Sequence, residues 1–135
     1  MENLKEAFLG TQFRVFDLPI VIKIDKKCPA LDELLRKHQV NEWAYITAWN
    51  PFAKVLSDEE NDRRQLELKE LLKDFICFEG EGVGTDPAWK PERSLLVLGI
   101  PKNEAMQIGK KFEQYAIVYG RIDEAAELIA LFEFK

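Results

Sequence analysis

The chain is short of the residues from which many reactive centres are built. It has one histidine, His38, and two cysteines, Cys28 and Cys77, among 135 residues. Neither cysteine falls in a Cys-x-x-Cys pair or a Cys/His cluster, and no metal-ligand spacing occurs anywhere. No metal and no cofactor is therefore expected. His38 sits near the end of an expected helix without a serine or cysteine partner, which favours a surface or capping role over catalysis. Long apolar runs are missing as well. The longest, Ser94-Leu-Leu-Val-Leu-Gly-Ile100, is strand-sized and far below the ~20 residues of a membrane helix. The opening Met-Glu-Asn-Leu-Lys-Glu lacks a basic region followed by an apolar stretch, so no signal peptide and a cytoplasmic setting are expected. Both thiols should then be reduced and buried. Basic charge is also scarce. A net charge of −5 argues against nucleic-acid binding, which rests on neutralising phosphates; Arg63-Arg64 and Lys110-Lys111 are only local pairs.

What is present suits one globular domain over residues 1–135. The chain is 47% hydrophobic and 32% charged, and its length can bury roughly two-thirds of the unfolded surface. Residues 2–10 read as a short helix stopped by Gly10, and 12–16 and 19–24 as strands rich in Val, Ile and Phe. Pro29 opens a helix to about Gln39 with Leu31, Leu34 and Leu35 as its stripe. A strand over 43–47 follows. Ser57 and Glu60 form a capping box for a helix running to about Phe75. Residues 76–79 read as a strand, 80–89 as a loose glycine-bearing loop, and 95–100 as a central strand. A helix from Pro101 carries Ala105, Ile108 and Phe112 inward. Strands over 115–119 and 128–134 close the chain, with a helical turn over 123–127 between them. The 95–119 unit has the form of a right-handed parallel crossover. The expected class is α+β: a mixed, mostly antiparallel sheet of about five to seven strands with three or four helices mainly on one face.

The long helix points to a site. At about 100° per residue, the stripe of Leu68, Leu71, Leu72 and Phe75 continues back to Arg64 and Asn61. Both therefore face the sheet, beside the sharp bend Thr47-Ala-Trp-Asn50-Pro51. An amide pair, a guanidinium and a helix N-terminus at one strand end would suit a small anionic ligand. Asn50, Asn61 and Gln114 would orient it, and Arg64 would grip its charge. Glu60 and Glu92 are the only credible general bases. Each has a plainer reading: Glu60 belongs to the capping box, and Glu92 either pairs with Arg64 or is solvated. The alternative for the whole cluster is a structural network within a non-enzymatic interaction or regulatory module, whose protein partner the sequence does not identify. Gly80-x-Gly82-x-Gly84 lacks the following helix and the Gly-Lys-Ser/Thr of a phosphate loop. Trp49 and Trp89, both in loops, could wall a ligand.

These residues carry a resemblance. Tyr45-Ile-Thr-Ala-Trp-Asn-Pro-Phe52 and Leu56-Ser-Asp-Glu-Glu-Asn61 with Arg64 resemble the opening signature of a bacterial family, domain of unknown function 3293. Trp89 to Glu92, Ser94, Leu95-Leu-Val-Leu-Gly99, Ile108-Gly-Lys-Lys-Phe112, Gln114 and Ala116-Ile-Val118 are similar as well, and the likeness spans roughly residues 8 to 132. Tyr115 stands where the family usually has Asn, a departure that leaves no amide there. The resemblance implies a small bacterial cytoplasmic protein whose polar positions are Asn50, Glu60, Asn61, Arg64, Glu92 and Gln114. It implies no activity.

Overall fold

The computed structural model describes residues 3–134. Helix α1 spans Leu4–Gly10, capped by Asn3, whose side chain accepts from the Glu6 amide; the expected start at residue 2 lies outside the described residues. Strands β1 (Gln12–Val15) and β2 (Val21–Ile22) form a short hairpin. Next come α2 (Pro29–Lys37), β3 (Glu42–Ile46), α3 (Asp58–Leu71), β4 (Ile76–Val83), β5 (Glu92–Leu98), α4 (Lys102–Lys111), β6 (Ala116–Arg121) and β7 (Glu127–Ala130). The chain is an α+β protein with a seven-stranded sheet in the order β2-β1-β4-β5-β3-β6-β7. Every ladder in it is antiparallel.

Strand β5 is central, as its unbroken apolar run suggested. The β5–α4–β6 unit does join two strands of the same direction, but β3 lies between them. The β3–α3–β4 unit is split in the same way by β5. Together they make a βαββαβ core of ferredoxin-like strand order.

The helices divide between the two faces of this core. Leu68 of α3, Leu72 at its C-cap and Ala105 of α4 pack with Ala44, Ile46, Leu95 and Val97. Leu31 and Leu35 of α2 pack on the other face with Phe13, Trp43, Tyr45, Leu96 and Val118. Strand alternation dictates this, since neighbouring side chains of β3 and β5 go to opposite faces. The sheet curls around the second cluster until its edges touch at one end. There Ile24 bridges Ala126, with the Asp25 amide on the Ala126 carbonyl at 2.8 Å and the Ala126 amide on the Lys26 carbonyl at 3.1 Å. The opposite end, where β3 finishes and β5 begins, stays open.

Several expected bounds shift. Strand β4 runs on through Gly80 to Val83, where a loop was expected. A Cβ at Gly80 would stand 1.9 Å from the Arg14 carbonyl and 2.7 Å from the Tyr45 hydroxyl, so glycine lets β1 and β4 close over Tyr45. Helix α3 ends at Leu71, which is 46% exposed and drops out of the expected stripe, whereas Phe75, beyond the helix end, still packs on the cluster of Leu68 and Leu72. The helical turn expected over 123–127 is the turn of a hairpin joining β6 and β7. It is formed by Asp123 in the left-handed region (φ 64°), whose amide donates to Asp32. Cys28 and Cys77 are free and half-buried, not fully buried, and pack on opposite faces. Among the described residues, no helix is long and apolar enough to cross a membrane.

Candidate functional site

Helix α3 begins as its sequence dictates. The Ser57 hydroxyl accepts from the Glu60 amide at 3.2 Å and donates to the Glu60 carboxylate at 3.1 Å, so Glu60 is an exposed capping residue. One turn on, Asn61 is 1% exposed. Its side-chain Oδ1 accepts from the Asn50 main-chain amide, and its side-chain NH2 donates to Asn50 Oδ1, both at 2.9 Å. Asn50 Oδ1 also takes the Leu56 amide at 3.1 Å. Gln65, on the same face of the helix, accepts from the Ala48 amide. Arg64 Nε donates to the Ala48 carbonyl at 2.7 Å and one terminal nitrogen donates to the Phe112 carbonyl at 2.6 Å. Glu113 lies 3.8 Å from its other terminal nitrogen. Gln114 donates to the Trp49 and Phe112 carbonyls at 2.9 and 3.1 Å.

These bonds fasten the 47–56 bend to α3 and to the turn after α4. The bend needs fastening, because Asn50, Phe52 and Ala53 all take positive φ, at 47°, 50° and 59°. Asn tolerates that region, whereas Phe and Ala are strained there by roughly 1–3 kcal/mol each. The Phe52 amide on the Glu113 carbonyl at 2.7 Å helps hold it. With Asn50 Oδ1 occupied twice, its NH2 turns the other way, toward Glu92, whose charged form it favours.

Glu92 stands at the start of β5, on the face shared with Ser94 and Leu96. Trp89 Nε1 donates to Glu92 Oε2 at 2.8 Å. Burial pushes this carboxyl above its ordinary value, opposed by the Trp89 and Asn50 hydrogen bonds. The side chain looks into a cleft of about 470 Å³ at the open end of the sheet. Phe8 of α1, Phe13, Tyr45, Tyr115 and Val118 give it apolar and aromatic walls, and Thr47 and Ser94 add hydroxyls. Tyr45 donates to the Arg14 carbonyl at 2.5 Å, and burial, the largest cause, raises its phenol above the ordinary value.

Of the residues singled out from sequence, Asn50, Glu92, Gln114 and Trp89 line this cleft. Asn61, Arg64 and Glu60 do not. Glu92 neither pairs with Arg64 nor stands free in solvent; it meets Trp89 and Asn50. Trp49 walls a different, charge-lined groove beside α3, and its buried indole N–H meets no acceptor among the described residues. His38 is the C-cap of α2. Among the described residues, no group of three or more His, Cys, Asp or Glu side chains could hold a metal ion. Tyr45, Thr47, Ser94 and Gln65 were not among the site residues expected from the sequence. Alternation from Trp43 along β3, and the step of four from Asn61 along α3, would have pointed to Tyr45, Thr47 and Gln65.

A model of a family described as "Protein of unknown function (DUF3293)" matches residues 46–117, a little over half of the chain. The chain belongs to the DUF3293 family. No curated protein and no solved structure matches it. The DUF3293 match begins at the last residue of β3 and ends at the second residue of β6. It therefore takes in the strained bend, both core helices, Glu92 and Gln114, all the parts that build and hold the carboxylate.

Proposed function

We propose that the protein binds a small, largely apolar molecule in the cleft at the open end of its sheet, with Glu92 as the principal polar contact. One observation carries this reading: a carboxylate in a largely apolar and aromatic wall, bonded by the Trp89 indole beside the Asn50 amide. Ligand sites are commonly concave and apolar with few placed polar groups, and the volume falls in their usual range. The strained bend fits the same reading, since strain is retained where a side chain must be aimed.

The reading moves the ligand away from Arg64. Its guanidinium serves two main-chain carbonyls, and no lysine or arginine is among the described residues lining the cleft. An anionic ligand there would meet Glu92 and no counter-charge. Asn61, Arg64 and Gln114 instead frame the site, which joins the two sequence-based alternatives: a structural network whose purpose is to aim Asn50 at Glu92.

The test fills the cleft. Gly82 lines it, and a Cβ there meets Thr11 and Phe13 only at 3.6 and 3.8 Å. A Gly82→Leu side chain would thus occupy ligand space without forcing the strands apart. Octanol titrated into the wild-type protein, followed by tryptophan fluorescence, should bind saturably. Gly82→Leu should weaken that binding by about tenfold or more with the melting temperature preserved. Equal octanol binding by both proteins would remove the cleft as the site.

A further inference from the structure

We infer that the molecule held in the cleft carries a protonated amine on an apolar body, and that Glu92 receives the ammonium group. This rests on the cleft being the binding site. Two observations extend it to a ligand class, the first being the unfilled capacity of the carboxylate. An ionised carboxylate accepts about four hydrogen bonds, of which, among the described residues, the Trp89 indole supplies one, with the Asn50 amide beside it. Both groups are neutral, so the negative charge is oriented without being balanced.

The second observation is where the nearby cations go. Arg93, adjacent in β5, alternates to the opposite face and lies over the Phe16 ring at 5.0 Å. Lys90 pairs with Asp58 and lies 5.9 Å from the Trp49 ring centre, away from the cleft. Arg64 is spent on carbonyls. Among the described lining residues there is no lysine, arginine or histidine, while Asp86 adds a second acid at the rim. The remaining walls include the rings of Tyr45, Tyr115 and Trp89, whose negative faces attract cations. A carboxylate with spare lone pairs among aromatic faces matches an N–H-bearing ammonium. A carboxylate ligand would be repelled, and a neutral alcohol would make only an uncharged hydrogen bond.

Octylamine, octanol and octanoate share one tail and differ in the head group, so their affinities separate the cleft from the charge. Isothermal titration near neutral pH should rank octylamine tightest, by about tenfold or more over octanol, with octanoate weakest. Glu92→Gln keeps the shape of the side chain and an acceptor for Trp89. It should bring octylamine down to the affinity of octanol, while a cooperative melting transition like that of the wild type certifies that the variant is folded. An octylamine affinity no better than that of octanol, or an amine preference that survives Glu92→Gln, would overturn the ammonium assignment and leave the apolar cleft standing. If none of the three binds the wild-type protein, the cleft reading fails and the ammonium with it.

Discussion

At the scale of single residues, Glu92 and Arg64 exchange the roles that their chemistry suggests. Arg64 faces inward, as helical spacing implied, yet its donors meet carbonyls of the bend and of the turn after α4. Removing it strands two partly buried acceptors, each charged hydrogen bond contributing roughly 1.5–3 kcal/mol. Arg64→Ala should therefore lower stability by about 2–4 kcal/mol in urea denaturation. Because Arg64 does not line the cleft, octanol affinity below the unfolding transition should stay within about twofold. A large affinity loss with unchanged stability would return Arg64 to the ligand. For Glu92 the lever is pH. Burial raises its carboxyl above the ordinary 4.5, so the folded state holds the proton more tightly than the unfolded chain does. Stability from this group is full below about pH 4.5 and is lost as pH rises through the folded-state value. Glu92→Gln cannot ionise and escapes that loss, so its melting temperature relative to wild type should climb as pH is raised from 4 toward neutrality. Calorimetry that finds a difference independent of pH would mean the carboxylate is not desolvated. The inward turn of Asn61 and Arg64 was legible because one angle per residue decides it. The surroundings of Glu92 were less legible, because its strand begins three residues before the apolar run of 95–100 and so sets it on the face of Ser94 and Leu96.

At the scale of elements, legibility followed how local the cause is. The Ser57–Glu60 box, Pro29 at the head of α2 and the apolar run of β5 are local signals, and each appears where expected. The extension of β4 through Gly80 has a distant cause, since Arg14 and Tyr45 set the space that only a glycine can fill. The turn after β6 depends on Asp32, far back in the chain, accepting the Asp123 amide at 3.0 Å. The 47–56 bend is the hardest case. Asn-Pro announces a turn, but nothing in Phe52 or Ala53 announces positive φ. Their conformation is imposed by Glu113 and by the amide pair Asn50–Asn61, contacts that exist only once α3 and the turn after α4 have docked. Where tertiary bonds hold a strained conformation, local propensity has no vote.

At the scale of the whole molecule, the chain divides into a framework and an enclosure. The βαββαβ core carries the bend and Glu92, but it supplies only part of the cleft. The rest comes from β1, β7 and α1, which the curl of the sheet brings around the same apolar cluster. Helix α1 is the simplest of these to remove in thought. None of its residues is buried, yet Leu4, Ala7 and Phe8 line the cleft. Its tie to the rest includes the Phe8–Phe134 ring contact at 6.0 Å. A helix that buries little of itself and covers a cavity stabilises the contents more than the fold. A chain starting at Thr11 should accordingly melt within a few degrees of the intact protein, a change of about 1 kcal/mol or less. Its octanol affinity should fall by about tenfold, through faster dissociation rather than slower entry. Stopped-flow fluorescence separates the two rates. Wholesale loss of folding on this deletion would make α1 part of the framework, whereas unchanged dissociation would confine the ligand to the deeper wall formed by Tyr45, Val118 and Glu92.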